Sequence, residues 1–302
     1  MTSHSSAARA IEESESTKAT IIRAPRLPRV LRSVATYSGM ALLAAVFLFP
    51  LAFEFIGSIK PNDKVLSEGN SWRAFIPTSI TFQNYGEAVA RANLLHLFLN
   101  SVIITSSIVV SGLVVNSLFG YALARLPFRG RGLLVGIVIA LIIIPFQALA
   151  VPLFFMMSQI QWTDTYQVQI VPFIASPFFT YLFYTFFLSI PKELEESARI
   201  DGAGPLTTFW RVVVPLARPV YATVAILSFL AAWGQLLWPV LVTRGPDVRP
   251  LPLGIAVFQG LPPIEWGDIM AVATIMTLPL LLVFLGFQDA FVRSIARTGI
   301  KG

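Results

Sequence analysis

Six stretches of this chain contain no Asp, Glu, Lys or Arg and are each long enough to cross a bilayer: residues 33–53, 92–124, 132–163, 165–191, 219–243 and 269–288. A helix needs about 20 apolar residues to span the hydrocarbon. Inside it, every backbone polar group must be bonded within the segment or to a neighbour. The pattern predicts an all-α membrane protein with six spanning helices. Only 13% of residues are charged, against about a quarter in soluble domains. No run of strands alternates polar and apolar residues, so a transmembrane barrel is set aside.

Orientation follows from the basic residues. With the N-terminus inside, the inner segments hold Arg9, Lys18, Arg23, Arg26, Arg29, Arg32, Arg125, Arg129, Arg131, Lys192, Arg199, Arg211, Arg218, Arg293, Arg297 and Lys301. The outer segments hold only Lys60, Lys64, Arg73, Arg91, Arg244 and Arg249. Lys and Arg favour the cytoplasmic side, which puts both termini there. The formal charge of +6 then reads as a basic membrane protein facing anionic lipid, with no call on nucleic acid. Residues 1–32 are polar, rich in Ser and Arg, and are expected to form a disordered cytoplasmic tail. Residues 33–302 form the transmembrane domain, with an outer segment at 60–95 and a charged inner connection at 190–218.

Within the spans a few residues break the apolar pattern. Glu54 sits near the outer end of the first span, where it suits either a function or a local pairing with Lys60. Pro145 and Pro152 kink the third span, and Gln147 beside the kink either lines a cavity or bonds a neighbouring helix. In the fifth span Trp233, Gln235 and Trp238 offer ring faces and an amide, a pairing that suits a sugar. Asp289 stands four residues before Arg293, the spacing of a surface ion pair.

The inner connection is the most charged part of the second half. Lys192, Glu193, Glu195, Glu196, Arg199 and Asp201 fall within ten residues. The local signals describe a short helix: Ser189 as a cap, Pro191 in the first turn, acids near the positive end, and Gly202 or Gly204 to end it with a positive φ. Pro205 and Pro215 bracket a second short helix, with Phe209, Trp210 and Val213 expected at the membrane interface. Taken alone, such a segment is a solvated connector.

Glu196-Ser197-Ala198, Gly202 and the Val212-x-Val214-Pro215 ending resemble the cytoplasmic "EAA" loop of permease subunits of ATP-binding-cassette importers. Ser197 replaces the second Ala of that pattern, and Val212 and Val214 replace Ile and Leu. Phe82-Gln-Asn-Tyr85, the run from Gly120-Tyr-Ala-Leu-Ala-Arg125 to Arg131, and Thr298-Gly-Ile-Lys-Gly302 resemble elements of the sugar-uptake, maltose-type members. Trp233 and Pro239 also match that class, although Gly234 stands where Asn is usual. The resemblance implies a type I importer permease in the bacterial cytoplasmic membrane, working by alternating access. It assigns Glu195, Glu196, Ser197, Ala198, Asp201, Gly202 and Ala203 to docking on an ATPase dimer. It also implies a second, different permease subunit, an extracytoplasmic substrate-binding protein, and ATP with Mg held by the ATPase.

The chain itself is not expected to be an enzyme and has no cofactor or catalytic residue of its own. It lacks a Gly-x4-Gly-Lys-Ser/Thr loop, has no cysteine, and its two histidines, His4 and His96, make no metal cluster. Two rival readings remain. One keeps the fold and carries glycerol phosphates or another polar solute; glycerol phosphates would favour basic groups in the pathway. The other is a stand-alone secondary transporter, which would want acids or histidines in mid-span, where none stands.

Overall fold

A computed structural model describes residues 29–260 and 262–298, and those residues contain helices and loops with no strand among them. It divides into two compact units, one ending at Leu51 and one beginning at Ala52. Helix α1 (Arg29–Ser58) supplies the described part of the first unit and runs on into the second. It starts four residues inside the expected tail. The remainder of that tail, residues 1–28, lies outside the described residues.

In the second unit the outer segment folds into α2 (Asn62–Ser67), a 3₁₀ turn (Trp72–Ala74) and α3 (Gln83–Ala92). The long helix α4 (Leu94–Arg125) follows, and α8 (Pro177–Ser189) and α11 (Arg218–Trp233) pack along it. Gly120 sets the separation of α4 and α8. A Cβ there would stand 2.7 Å from the Phe183 Cβ and 3.1 Å from the Thr180 carbonyl oxygen. Only a residue without a side chain permits that approach.

Between α4 and α8 the third span is broken. Helices α5 (Arg131–Ile143) and α6 (Phe146–Gln159) meet at 102°. The break falls at Ile144, which is extended, and Pro145, which has no N–H to continue the ladder. Asp164 then makes the expected tight turn with φ +60°. Its Oδ1 accepts from the backbone N–H groups of Arg244 and Gly245 at 2.9 and 3.1 Å. The fourth span begins as α7 (Tyr166–Ile170), tightens through a 3₁₀ turn (Val171–Phe173) and resumes as α8.

Asn116, buried in α4, repairs that interruption. Its Oδ1 accepts from the Ser176 N–H at 2.8 Å and the Thr180 hydroxyl at 2.9 Å, and its Nδ2 donates to the Ile174 carbonyl at 3.0 Å. Freed backbone groups in lipid need such a partner.

After α8 come α9 (Glu193–Ile200) and α10 (Pro205–Leu216), which enters α11 at 80°. Helix α11 stops at Trp233, and α12 (Leu237–Val242) and α13 (Leu251–Phe258) precede the last helix, α14 (Trp266–Thr298). Among the described residues, four helical segments are long and apolar enough to span unaided. The count reaches six when each bent pair, α5 with α6 and α10 with α11, is taken as one span. The broken third span was legible from its prolines; the interruptions of the fourth and fifth were not.

Three apolar clusters fill the second unit. One joins Tyr121, Phe183, Phe187, Phe209, Val213 and Val224 near the charged connection. A second joins Ala88, Leu97, Trp233, Leu251 and Val272. The third sets Trp238 against Val168 and Val242.

Candidate functional site

Helix α9 begins at Glu193, and the Lys192 carbonyl accepts from the N–H groups of Glu195 and Glu196, both at 3.0 Å. Ser189 does not cap it. That residue is the last of α8, and its hydroxyl donates to the Phe186 carbonyl. The acids Glu193, Glu195 and Glu196 occupy the first turn, where the helix dipole favours them. The end is a Schellman turn: Ala203 N–H donates to the Ala198 carbonyl at 2.9 Å and Gly202 N–H to the Arg199 carbonyl at 3.0 Å. Gly202 takes φ +83°, with open space where a Cβ would project. The glycine is thus required by backbone conformation and not by crowding within this chain.

The proposed docking residues divide in two. Glu196, Ser197, Asp201 and Gly202 are exposed, and Ala198 and Ala203 are half-buried. Glu195 points the other way. Its Oε1 lies 2.8 Å from the Arg125 Nε, with side chains 5% and 4% exposed. Its Oε2 accepts from the Tyr121 hydroxyl at 3.3 Å. Arg125 also donates through Nη2 to the carbonyls of Phe187 and Ile190 at the end of α8. The Nε–Oε1 contact is a meeting of charges without an aligned hydrogen bond, since neither atom has a hydrogen-bond partner of good geometry.

Topology signalling alone does not describe Arg125. This arginine is a buried structural charge that joins α4, α8 and α9. Its signal in the sequence was the adjacent Tyr121, one helical turn back on the same face.

Phe209 and Val213 are fully buried in the first apolar cluster, so they do not lie at a membrane interface. Phe209 sits 5.0 Å from the Tyr121 ring, centroid to centroid. Residues 209–213 form a π-helical turn inside α10. Such turns are rare and often mark functional sites. Here the turn accompanies the anchoring of α10 beneath Tyr121. Trp210 alone of the three is exposed, with Leu194, Ile200 and Leu206 on the same connection.

Three of the four pathway residues, Trp233, Gln235 and Trp238, line one small cavity of about 10 Å³ together with Ser101, Thr105 and Gln169, and Gln147 stands apart. Trp233 is buried, stacked on Phe229 and edge-on to Phe98, and its Nε1 donates to the Met276 carbonyl at 3.0 Å. Trp238 is buried against Phe146 and Phe173, and its Nε1 donates to the Val168 carbonyl at 2.8 Å. The cavity both rings border is water-sized, so neither offers a face to a sugar. Gln235 is half-buried and lines a cavity of about 470 Å³ bounded by α4, α5, α6, α8 and α11. Ser176 and Ser228 add hydroxyls to that wall, and no charged residue among the described ones lines it. Gln147 is exposed and is not among the lining residues, although its neighbour Phe146 is.

Elsewhere, Glu54 accepts from the Thr277 hydroxyl at 3.0 Å and does not pair with Lys60. Lys60 is itself buried and bonded to Glu68 at 3.0 Å. The side chains of Asp289 and Arg293 and residues 299–302 lie outside the described residues.

The fold has clear counterparts. The fold resembles one chain of a solved bacterial ABC transporter involved in the import of the acidic polysaccharide alginate, with TM-score 0.78 and 23% identity over 88% of this chain and 99% of that one. The arabinooligosaccharides transport system permease protein AraQ of Halalkalibacterium halodurans is 35% identical, covering 87% of this chain and 95% of its own. The trehalose/maltose transport system permease protein MalG of Thermococcus litoralis is 31% identical over 90% of this chain and 98% of its own. The trehalose transport system permease protein SugB of Mycobacterium tuberculosis is 35% identical over 87% and 94%. Residues 116–297, which contain the whole buried joint of Tyr121, Arg125 and Glu195, match the family described as the binding-protein-dependent transport system inner membrane component. The chain belongs to that family: it is a multi-pass inner-membrane transport subunit and not an enzyme.

Proposed function

We propose that this chain is one of two different permease subunits of an ATP-driven importer that carries a sugar or oligosaccharide into the cell. A substrate-binding protein delivers the cargo outside. A dimer of ATPase subunits, holding ATP and Mg, closes against the inner connection. The exposed side of α9 and its Schellman end, with Glu196, Ser197, Ala198, Asp201, Gly202 and Ala203, form this chain's docking element. Glu195 faces inward and transmits motion of α9 to α4 and α8.

The observation that carries this reading is the buried Glu195–Arg125 contact at 2.8 Å. A solvated connector needs no such contact, and two buried charges are costly to desolvate unless further bonds accompany them. Alternating access requires two states that both partners bias, and a rigid joint between loop and span lets the ATPase do so. For cargo, the relatives named for sugars support a carbohydrate. The uncharged cavity beside Gln235 suits a neutral polar solute better than a phosphate ester. Trp233 and Trp238 then hold the cavity's frame, while Gln235, Ser176 and Ser228 supply hydroxyl-bonding groups.

The test is uptake by the complete transporter reconstituted in proteoliposomes, with its binding protein outside and ATP inside. Labelled neutral oligosaccharide should accumulate, and ATP hydrolysis should rise only when the loaded binding protein is present. Accumulation of a glycerol phosphate in place of any sugar would reject the cargo. Hydrolysis indifferent to the binding protein would reject the coupling.

A further inference from the structure

The inner side of the chain has a second cavity, of about 330 Å³, between the end of α4 and the cavity-facing side of α9. Its walls carry Arg125, Arg131, Lys192 and Arg199 against Glu195 and Glu196, with Ala124 and Pro127 as apolar floor. Glu195 is already committed to Arg125, which also serves two carbonyls of α8. That leaves Arg131, Lys192 and Arg199 facing Glu196. None of the three has an ion-pair partner among the described residues. Arg131 gives only Nη2 to a neighbour, the Ala124 carbonyl at 2.9 Å.

The spacing of these groups is not incidental. Lys192, immediately before α9, and Glu195 and Arg199 within it follow at three and four residues and so share one side, with Glu196 exposed at its edge. Glu193, Leu194 and Ser197 fall on the other. The cations therefore converge on the cleft toward α4 and away from the side bearing the exposed Leu194. The excess of Lys and Arg in the inner segments puts this end of the chain at the inner leaflet, whose surface is anionic. Basic pockets between helices at that level hold phosphate headgroups. The volume is also within the range of about 300–1,000 Å³ typical of small-molecule sites.

We propose that this cleft binds a phosphate group, that of an anionic phospholipid headgroup from the inner leaflet, gripped by Arg131, Lys192 and Arg199. A phosphate bound there contacts the start of α5, the residue before α9 and Arg199 within it at once. It clamps the loop helix to the membrane domain beside the Glu195–Arg125 joint. The site is independent of the cargo and needs only the cytoplasmic placement of the connection.

The experiment uses the complete transporter complex, purified into neutral detergent from membranes containing phosphatidylglycerol and phosphatidylcholine. Retained lipid is counted by native mass spectrometry. Phosphatidylglycerol should be retained in preference to phosphatidylcholine. The Arg131→Gln/Lys192→Gln double variant should weaken that retention about thirtyfold, as expected for removing two cations at an anionic surface. Co-purification of the ATPase with the variant serves as the folding control. Displacement of the lipid by added inorganic phosphate would keep the phosphate site but assign it to a soluble ligand. Equal retention of both lipids, or no difference between wild type and variant, would overturn the proposal. So would retention seen only after the ATPase is stripped away, because a protein partner would then be what fills the cleft.

Discussion

The Arg125 guanidinium and the Glu195 carboxylate touch at 2.8 Å in a site sealed on nearly all sides. Around them α4 supplies Tyr121, α8 supplies the carbonyls of Phe187 and Ile190, and α9 supplies the acid. The Ile190 carbonyl lies past the last turn of α8, where no further turn exists to use it, and the Phe187 carbonyl takes the arginine in addition to the Ile190 N–H at 3.2 Å. One cation thus neutralises a buried carboxylate and terminates a membrane helix at the same point. The pair thereby ties α9 to the ends of α4 and α8.

Removing one partner of this pair should hurt more than removing both. Arg125→Leu or Glu195→Leu alone leaves a buried charge unpaired, a loss of about 3–5 kcal/mol. The double variant should recover a large part of that loss. Thermal unfolding in detergent of the two single variants and the double variant closes the cycle. Simple additivity would mean that the residues do not act as a pair.

Asn116→Leu should destabilise the chain without touching any loop. It strands the Ser176 N–H, the Thr180 hydroxyl and the Ile174 carbonyl in an apolar setting, and each such group costs about 1–3 kcal/mol. Asn116→Asp keeps the acceptor and should retain part of the stability. A melting temperature unchanged in Asn116→Leu would show that the fourth-span interruption is repaired by other means.

The architecture was legible in the sequence because burial in lipid leaves so few options. Charge-free runs of the right length, Pro145 at a break, Asp164 at a turn and Gly202 at a helix end each follow from one local rule. The interior of the site was not legible in the same way. Glu195 and Glu196 are adjacent and chemically alike, and only the rotation of α9 sends one toward Arg125 and the other toward solvent. Trp233 and Trp238 look like pathway rings until the packing of Phe98, Phe146, Phe173 and Phe229 is known. Asn116 is a polar residue in a span, a recognisable signal, but its partners lie about 60 residues away across a helix interface.

The outer segment should be sensitive to acid. The Thr78 hydroxyl and the Lys60 ammonium bond the Glu68 carboxylate and hold its pKa below the ordinary value of 4.5. A carboxyl lowered on folding contributes stability above its unfolded pKa and loses it as pH falls through the folded one. Limited proteolysis at residues 60–80 should therefore accelerate below pH 4.5. Glu68→Gln should show the faster cleavage already at neutral pH. A cleavage rate equally flat in both proteins would remove Glu68 as the organiser of this segment.

Gly202 separates strain within this chain from pressure by a partner. Its φ of +83° makes any side chain costly, yet no atom lies within 4 Å of where a Cβ would stand. In the isolated subunit, Gly202→Ala should therefore cost about 1–2 kcal/mol of backbone strain and Gly202→Asp no more than that. Gly202→Asn should cost less than Gly202→Ala, because Asn, like Asp, visits that region more readily. If α9 docks in a desolvated cleft of the ATPase, the three variants should part company once the complex forms. Gly202→Asp buries an unpaired charge and should lose several kcal/mol more than Gly202→Ala, a fall of roughly a hundredfold in affinity. Glu196→Lys, on the exposed side of the same helix, should lower affinity while leaving subunit stability near wild type. The measurements are unfolding of the purified subunit and co-purification of the ATPase from reconstituted membranes. Equal ATPase retention in Gly202→Ala and Gly202→Asp would leave Gly202 as a backbone hinge that no partner touches.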